Sequence, residues 1–370
     1  MFKRNRLEEW YEGKYPEYDI SECGMVNTIS PWSLNEINTL KGMDDVFFYG
    51  NSEGENYLID IISTIYTCKR ENVLVTNGAS EALFIVLLAL CDDQSKIMCQ
   101  FPYYNDLQPL LKKIGCSISR FELDQNSQFS FIFEKFKNSF KSANVAILNF
   151  PNNPTGSELK NSDYANIISY SEKFHKHIIF DEVTALSENK TYIEKNIHCH
   201  LDNCVCINSM SKAYGVPGLR VGWIVSNERI IRECQAIKEL ISVCTPPLLQ
   251  KIAFGILKHR DMIIRNNQGI ILQNINFLLQ HCDYFNSFFT INRIPENCPC
   301  CLVKIPNTID DYDFCLKAYD TCNILLTPGK CFDLNGYFRL GLGINPKSFN
   351  VAMHRLNTFA RHYFKRYFEN

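Results

Sequence analysis

The sequence predicts an α/β fold: a large domain built on a mostly parallel sheet covered by helices, and a smaller α+β domain after it. Three observations point there. Short apolar runs alternate with helix-like stretches between Asn72 and Ser209, the pattern of strand–helix–strand units with parallel pairing. Polar residues close several of those runs, at the strand ends where such sheets bind ligands. Beyond a long helical stretch at 229–282, the pattern changes to shorter strands and a final helix.

In chain order, Asn72-Val73-Leu74-Val75 precedes a helix carrying Leu83, Val86, Leu87 and Leu90. Lys96-Ile97-Met98-Cys99 precedes a helix around Asp106 to Lys113. Val145-Ala146-Ile147-Leu148 runs into a Pro/Asn/Gly turn and another helix. His177-Ile178-Ile179-Phe180 ends at Asp181, and Val205-Cys206-Ile207 ends at Ser209. We divide the chain into an N-terminal segment at 1–45 that joins the small domain, a large domain at 46–282 including an interdomain helix, and a small C-terminal domain at 283–370.

With 370 residues and 46% hydrophobic content, the chain has ample core for a large domain and a smaller one. Its 38 basic residues nearly balance 40 acidic ones, for a net charge of −2. That balance offers no electrostatic reason to expect nucleic acid or an anionic membrane as a partner. Arg361, His362, Lys365 and Arg366 are locally basic, but Leu356, Phe359, Tyr363 and Tyr367 recur at helical spacing beside them. The basic residues are therefore expected on the wet face of a helix. The opening residues lack the apolar core of a secretory signal. The longest apolar run, Ala82 to Cys91, is about half of the ~20 residues that a membrane span needs. A cytoplasmic protein is expected. The 17 cysteines are scattered and odd in number, unlike a secreted disulfide scaffold. Cys298 and Cys301, with Cys300 between them, form a C-x-x-C without an obvious second ligand pair. They are expected as reduced thiols on a strand running into Leu302 and Val303, with no metal.

The chemistry-bearing residues sit at the strand ends. Lys212 follows a buried strand within Ser209-Met210-Ser211-Lys212 and a Gly-rich turn. Lysine is rarely hidden, but an amine that must condense with an aldehyde has reason to be there. Arg220, eight residues on, could grip a phosphate with its guanidinium fork. The competing reading is a surface loop with ordinary charges. Asp181 closes an apolar strand, which is costly unless it is paired. A protonated ring nitrogen would serve, and so would a helix N-cap role. The turn Pro151-Asn152-Asn153-Pro154-Thr155-Gly156 could offer the Asn153 amide to a ring oxygen or could be only a turn. Gly78-Ala79-Ser80-Glu81 lies between strand and helix, a ready anion site or a plain N-cap.

Taken together, these segments resemble the class I/II aminotransferases, which are fold-type I enzymes dependent on pyridoxal 5'-phosphate (PLP). The matching stretches are TNGASEAL, FPYYNDL, NFPNNPTG, IIFDEV, SMSKAYGVPGLRVGW and YFRLGLG, in the family's order from residue 49 to about 343. The resemblance implies that Lys212 forms the Schiff base with PLP and shuttles protons, and that Asp181 pairs with the ring nitrogen. It implies that Asn153 contacts the ring oxygen and lies near the substrate carboxylate. Gly78, Ala79, Ser80, Ser209 and Arg220 would hold the phosphate, and Tyr104 would stack on the ring. Tyr49 is similar to the tyrosine that family homodimers lend to the neighbour's phosphate. Arg339 resembles the clamp on the substrate α-carboxylate. One departure concerns the family's Asp-x-x-Tyr, whose tyrosine bonds the ring oxygen: the position is Thr184 here, and its shorter hydroxyl is not expected to reach.

The stretch from Ser21 to Leu34 ending in SPWSL, the run FFYGNSEGENYL and the segment LLTPGKCFDLNGYFRLGLG resemble the capreomycidine-synthase-like subgroup, which cyclises a hydroxylated arginine on PLP. The expected function is a PLP-dependent aminotransferase of a small amino acid, with a 2-oxo acid as second substrate and a homodimer as assembly. A cyclase or dehydratase of hydroxylated arginine is the first alternative, and a non-catalytic PLP-fold regulator the second. Four intact residues, Lys212, Asp181, Arg220 and Arg339, speak against the second.

Overall fold

The apolar runs form the centre of a seven-stranded sheet in a computed structural model of the chain, which describes residues 5–26, 48–104, 107–187, 191–281 and 287–368. SPWSL, Asn105 and Asp106 lie outside the described residues. In chain order the strands are β1 (Tyr18–Asp19), β2 (Val73–Thr76), β3 (Lys96–Phe101), β4 (Ser117–Glu122), β5 (Val145–Asn149), β6 (His177–Asp181), β7 (Cys204–Ser209), β8 (Gly222–Val225), β9 (Thr290–Ile291), β10 (Cys300–Lys304), β11 (Ile324–Leu325), β12 (Thr327–Pro328) and β13 (Tyr337–Gly341). The helices framing them include α1 (Arg6–Tyr11), α2 (Ala79–Leu90), α3 (Glu228–Ile241), α4 (Pro247–Lys258), α5 (Arg260–His281), α6 (Asp311–Cys322) and α7 (Pro346–Phe368).

The large sheet runs in the order β2-β8-β7-β6-β5-β3-β4. Only β8 opposes the others, pairing antiparallel with both β2 and β7. Every residue of β5 and β7 is buried, because helices cover both faces and leave no side for water. That is why these strands lack the alternation of a half-exposed sheet. A fully buried Ile, Val or Leu side chain contributes ~1.5–3 kcal/mol, so the central strands anchor the fold. Their parallel register sets Asn149 beside Asp181, and Asp181 beside Ile207. Asn149, Asp181 and Ser209 thus emerge at one edge of the sheet.

Two details differ from the sequence reading. In the helical stretch expected at 229–282, the described residues form three helices, α3, α4 and α5, and Pro247 opens the second. A proline lacks the N–H that a continuing helix needs, and it opens a new one well. The helix expected around 106–113 is described as Gln108–Ile114.

The four-stranded sheet β12-β13-β10-β9 is antiparallel. Tyr363 and Phe364 of α7 and Phe314 of α6 meet in an aromatic cluster with Phe338. Residues 6–26 pack on this unit. β1 pairs parallel with β11, the Trp10 indole donates to the Leu326 carbonyl at 2.8 Å, and the Gly341 N–H donates to the Ile20 carbonyl at 2.7 Å. This wraps residues 20–26 along β13 and brings them to the edge of the large sheet where the candidate site lies.

Candidate active site

The ends of β5, β6 and β7, the start of α2 and the N-terminal segment enclose a cavity of about 320 Å3. Asp181 is 1% exposed on its floor. Its carboxylate accepts the Tyr103 hydroxyl at 2.9 Å and the Val183 N–H at 3.2 Å. Burial pushes its pKa up to about 6, against those two bonds. Among the described residues no cation pairs with it. Asn149 steadies the turn nearby: its side-chain amide donates to the Asp181 carbonyl at 3.0 Å and its Oδ1 accepts the Asn153 N–H at 2.8 Å.

Lys212 reaches into the same cavity, with Nζ 3.2 Å from Glu22 Oε2. Burial works against the charge on Glu22, but Lys212 and Arg339 outweigh it and hold that carboxyl below its usual range. A third cluster belongs to α2. Gly78 has φ +87°, and a Cβ there would come within 2.3 Å of Arg220 Nη2. Only glycine tolerates both the conformation and the contact. Arg220, itself left-handed at φ +52°, donates to Ser211 Oγ at 3.4 Å and to the Asn77 carbonyl at 3.4 Å. Ala79, Ser80, Ser209, Ser211 and Arg220 line this end of the cavity. N–H groups at a helix start, hydroxyls and a guanidinium are the donors that an anion cradle uses.

At the other end, Arg339 is 2% exposed. It donates to the Ser21 carbonyl at 2.8 Å, to Asn153 Oδ1 at 2.8 Å and to the Tyr11 hydroxyl at 2.7 Å. Tyr104 lines the wall, edge-on to Tyr103 with ring centroids 5.0 Å apart. Thr184 also borders the cavity, but its hydroxyl donates to the Pro151 carbonyl. Tyr49 stands apart from the cavity and is 87% exposed. Sequence reasoning missed Glu22, Tyr11, Tyr103, Asn149 and Ser211. Ser211 and Tyr103 adjoin residues it singled out, so proximity in sequence was a usable signal. Glu22 and Tyr11 carry no such signal.

The model of the family "Aminotransferase class I and II" matches residues 28–356. The chain belongs to this family. Members are PLP-dependent. Capreomycidine synthase from Streptomyces vinaceus is 22% identical over 348 residues, 90% of this chain and 88% of that one. A PLP-dependent aminotransferase from Streptococcus suis is 25% identical with TM-score 0.86, covering 97% of this chain and 98% of that one. The PLP-dependent cyclase OrfR, solved in complex with Au, is 22% identical with TM-score 0.86, covering 98% of both chains.

The residues present fit the cofactor of this family. A buried carboxylate lacking a cation suits a protonated ring nitrogen, and the cradle at α2 and Arg220 suits a phosphate. Lys212 offers an amine in the same cavity.

Proposed function

We propose that the protein is a PLP-dependent aminotransferase of a small amino acid. One observation carries this reading: Asp181, buried without a cation, shares a cavity with Lys212, the α2 anion cradle and Arg339. Bound there, PLP supplies an aldehyde for amines and a protonated ring that accepts the electron pair left when a Cα proton departs. Asp181 would keep the proton on the ring nitrogen. Ser209, Arg220 and the Gly78–Ala79–Ser80 turn would hold the phosphate, and Tyr104 would cover the ring face. Asn153 serves the ring oxygen and backs Arg339, which binds the substrate carboxylate after releasing the Tyr11 hydroxyl. Lys212 would hold the cofactor's aldehyde and, as a free amine, would be the base for the Cα proton. Glu22 is placed to keep that amine inside the cavity. A small amino acid, and a 2-oxo acid in the return half, are the partners; nucleic acid and membrane are not. Among the described residues no helix is long and apolar enough to cross a membrane.

A homodimer completes the reading, with the exposed Tyr49 offered to the neighbour's phosphate. A cyclase is the second reading, supported by Thr184, whose hydroxyl is turned to the Pro151 carbonyl, and by the likeness to capreomycidine synthase over 90% of the chain. Single-turnover mixing with a reactive amino acid and no 2-oxo acid separates the two. Accumulation of the amine form of the cofactor with a 2-oxo acid supports transamination. Release of a cyclic amino acid with an unchanged cofactor spectrum refutes it in favour of cyclisation.

A further inference from the structure

Behind the Arg339 end of the cavity, three cysteines converge that the site chemistry does not use. Cys23 comes from the N-terminal segment, and Cys298 and Cys300 from the entry to β10. All three are 0% exposed. Their sulfur atoms lie within 4.8 Å of one another. Cys23 Sγ is 3.0 Å from Cys300 Sγ, and Cys298 Sγ is 3.9 Å from Cys300 Sγ. The three form a cluster separate from the two main cores, while Cys301 is buried within the larger core. Strand alternation explains the division: successive residues of β10 face opposite ways. The C-x-x-C of the sequence is therefore not the pair that meets. Cys298 and Cys300 meet a third thiol 277 residues from Cys300.

Thiols that merely fill a core meet carbon, as Cys301 does. These three face one another. With metal–sulfur bonds of ~2.3 Å, three thiolates in a plane around one ion stand about 4 Å apart; the Cys298–Cys300 separation of 3.9 Å is close to that value, and the Cys23–Cys300 pair at 3.0 Å would spread by about 1 Å to admit the ion. The donors are all sulfur, which selects soft ions over magnesium, calcium or manganese. Among the described residues no fourth cysteine, histidine or carboxylate joins the group. Zinc sites are almost always four-coordinate, so a trigonal sulfur site favours a monovalent soft ion. Arg339 interacts electrostatically with Cys23 and Cys300, offsetting part of the negative charge that three thiolates and one monovalent ion carry.

We propose that Cys23, Cys298 and Cys300 form a three-thiolate site for a soft monovalent metal ion of the Cu+ class. Binding forms three metal–sulfur bonds and releases the thiol protons to solvent. The ion ties residues 20–26 to β10. That segment carries Glu22 against Lys212, and Gly24, where a Cβ would lie 3.4 Å from Lys212 Cδ. The site is thus a clasp on one wall of the cavity, and it stands whether or not the catalytic reading holds.

The test uses the full-length protein, reduced and kept anaerobic, titrated with Cu+ against a competing chromogenic Cu+ chelator. The expected result is retention of about one ion per chain and an X-ray absorption spectrum showing three sulfur neighbours. The spectrum is taken on the wild-type protein, so it needs no variant to fold. Cys23→Ser and Cys300→Ser should each lose the retained ion, and Cys301→Ser should keep it. Three outcomes overturn the proposal. They are uptake unchanged in Cys23→Ser and Cys300→Ser, preferential retention of four-coordinate zinc, and a Cys23–Cys300 disulfide in protein that takes up no metal.

Discussion

Replacing Asp181 with asparagine tests the centre of the proposed chemistry. The side chain keeps its size. Its Oδ1 can still accept the Val183 N–H, and the Tyr103 hydroxyl can turn to accept from the new amide, so the fold should survive. What disappears is the charge. Burial raises the Asp181 pKa from 3.8 to about 6, which at ~1.36 kcal/mol per pH unit is about 3 kcal/mol of unfavourable charge held ready for a cationic partner. A protonated ring nitrogen relieves that cost, and the same interaction keeps the ring able to accept electrons. Without it the barrier should rise by about 3 kcal/mol, or ~10²-fold in rate at ~1.4 kcal/mol per tenfold. The assay is stopped-flow absorbance of the half-reaction with a reactive amino acid, after cofactor content has been matched to wild type. A variant that carries full cofactor and reacts within about threefold of wild type would refute the reasoning, since removal of a charge aimed at the reacting centre is normally worth ~10²–10³-fold.

Lys212 should be the residue that takes a pyridoxyl label when the PLP-loaded protein is reduced with borohydride; peptide mapping checks it, and a label on another lysine rejects the assignment. Glu182, next in sequence to Asp181, is buried, and that burial together with Glu194 pushes its pKa up from 4.5 to about 8. Between those values the folded protein holds a proton that the unfolded chain has lost, so stability falls as pH rises from about 4.5 to about 8 and then levels. Glu182→Gln should remove that loss, gaining on the order of 3 kcal/mol relative to wild type between pH 5 and pH 8; parallel denaturation curves for the two proteins across this range would contradict it. Sedimentation should show a dimer, and Tyr49→Phe should weaken PLP retention there without changing assembly; an active monomer with PLP bound sinks the shared-site reading.

Residues 72 to 209 carry their architecture locally. Val145 to Leu148 and Val205 to Ile207 are apolar without interruption because helices cover both faces of the sheet, and that coverage leaves its mark on every position. Gly78 is legible for a similar reason: a turn into a helix at φ +87° is a demand made by a single residue's backbone. The composition of the chain and its ordered motifs were sufficient for the family. They could not orient β8, because four buried residues read alike whichever way the strand runs. Nor could they supply the contacts that close the cavity. Arg339 meets Asn153 across 186 residues, Lys212 meets Glu22 across 190, and Tyr103 meets Asp181 across 78. No periodicity links such pairs. They exist because parallel strands bring their carboxyl ends to one edge, and because β1 and residues 20–26 lie along β11 and β13 in space though not in sequence. The thiol cluster makes the same point: the spacing of Cys298 and Cys301 suggests a pair, but strand alternation turns Cys301 away, and the partner that Cys300 meets is Cys23. Local preferences are set by the backbone of a few neighbouring residues, whereas a site is assembled only when the whole chain has buried its apolar surface and its distant polar groups must find partners or face the cost of having none.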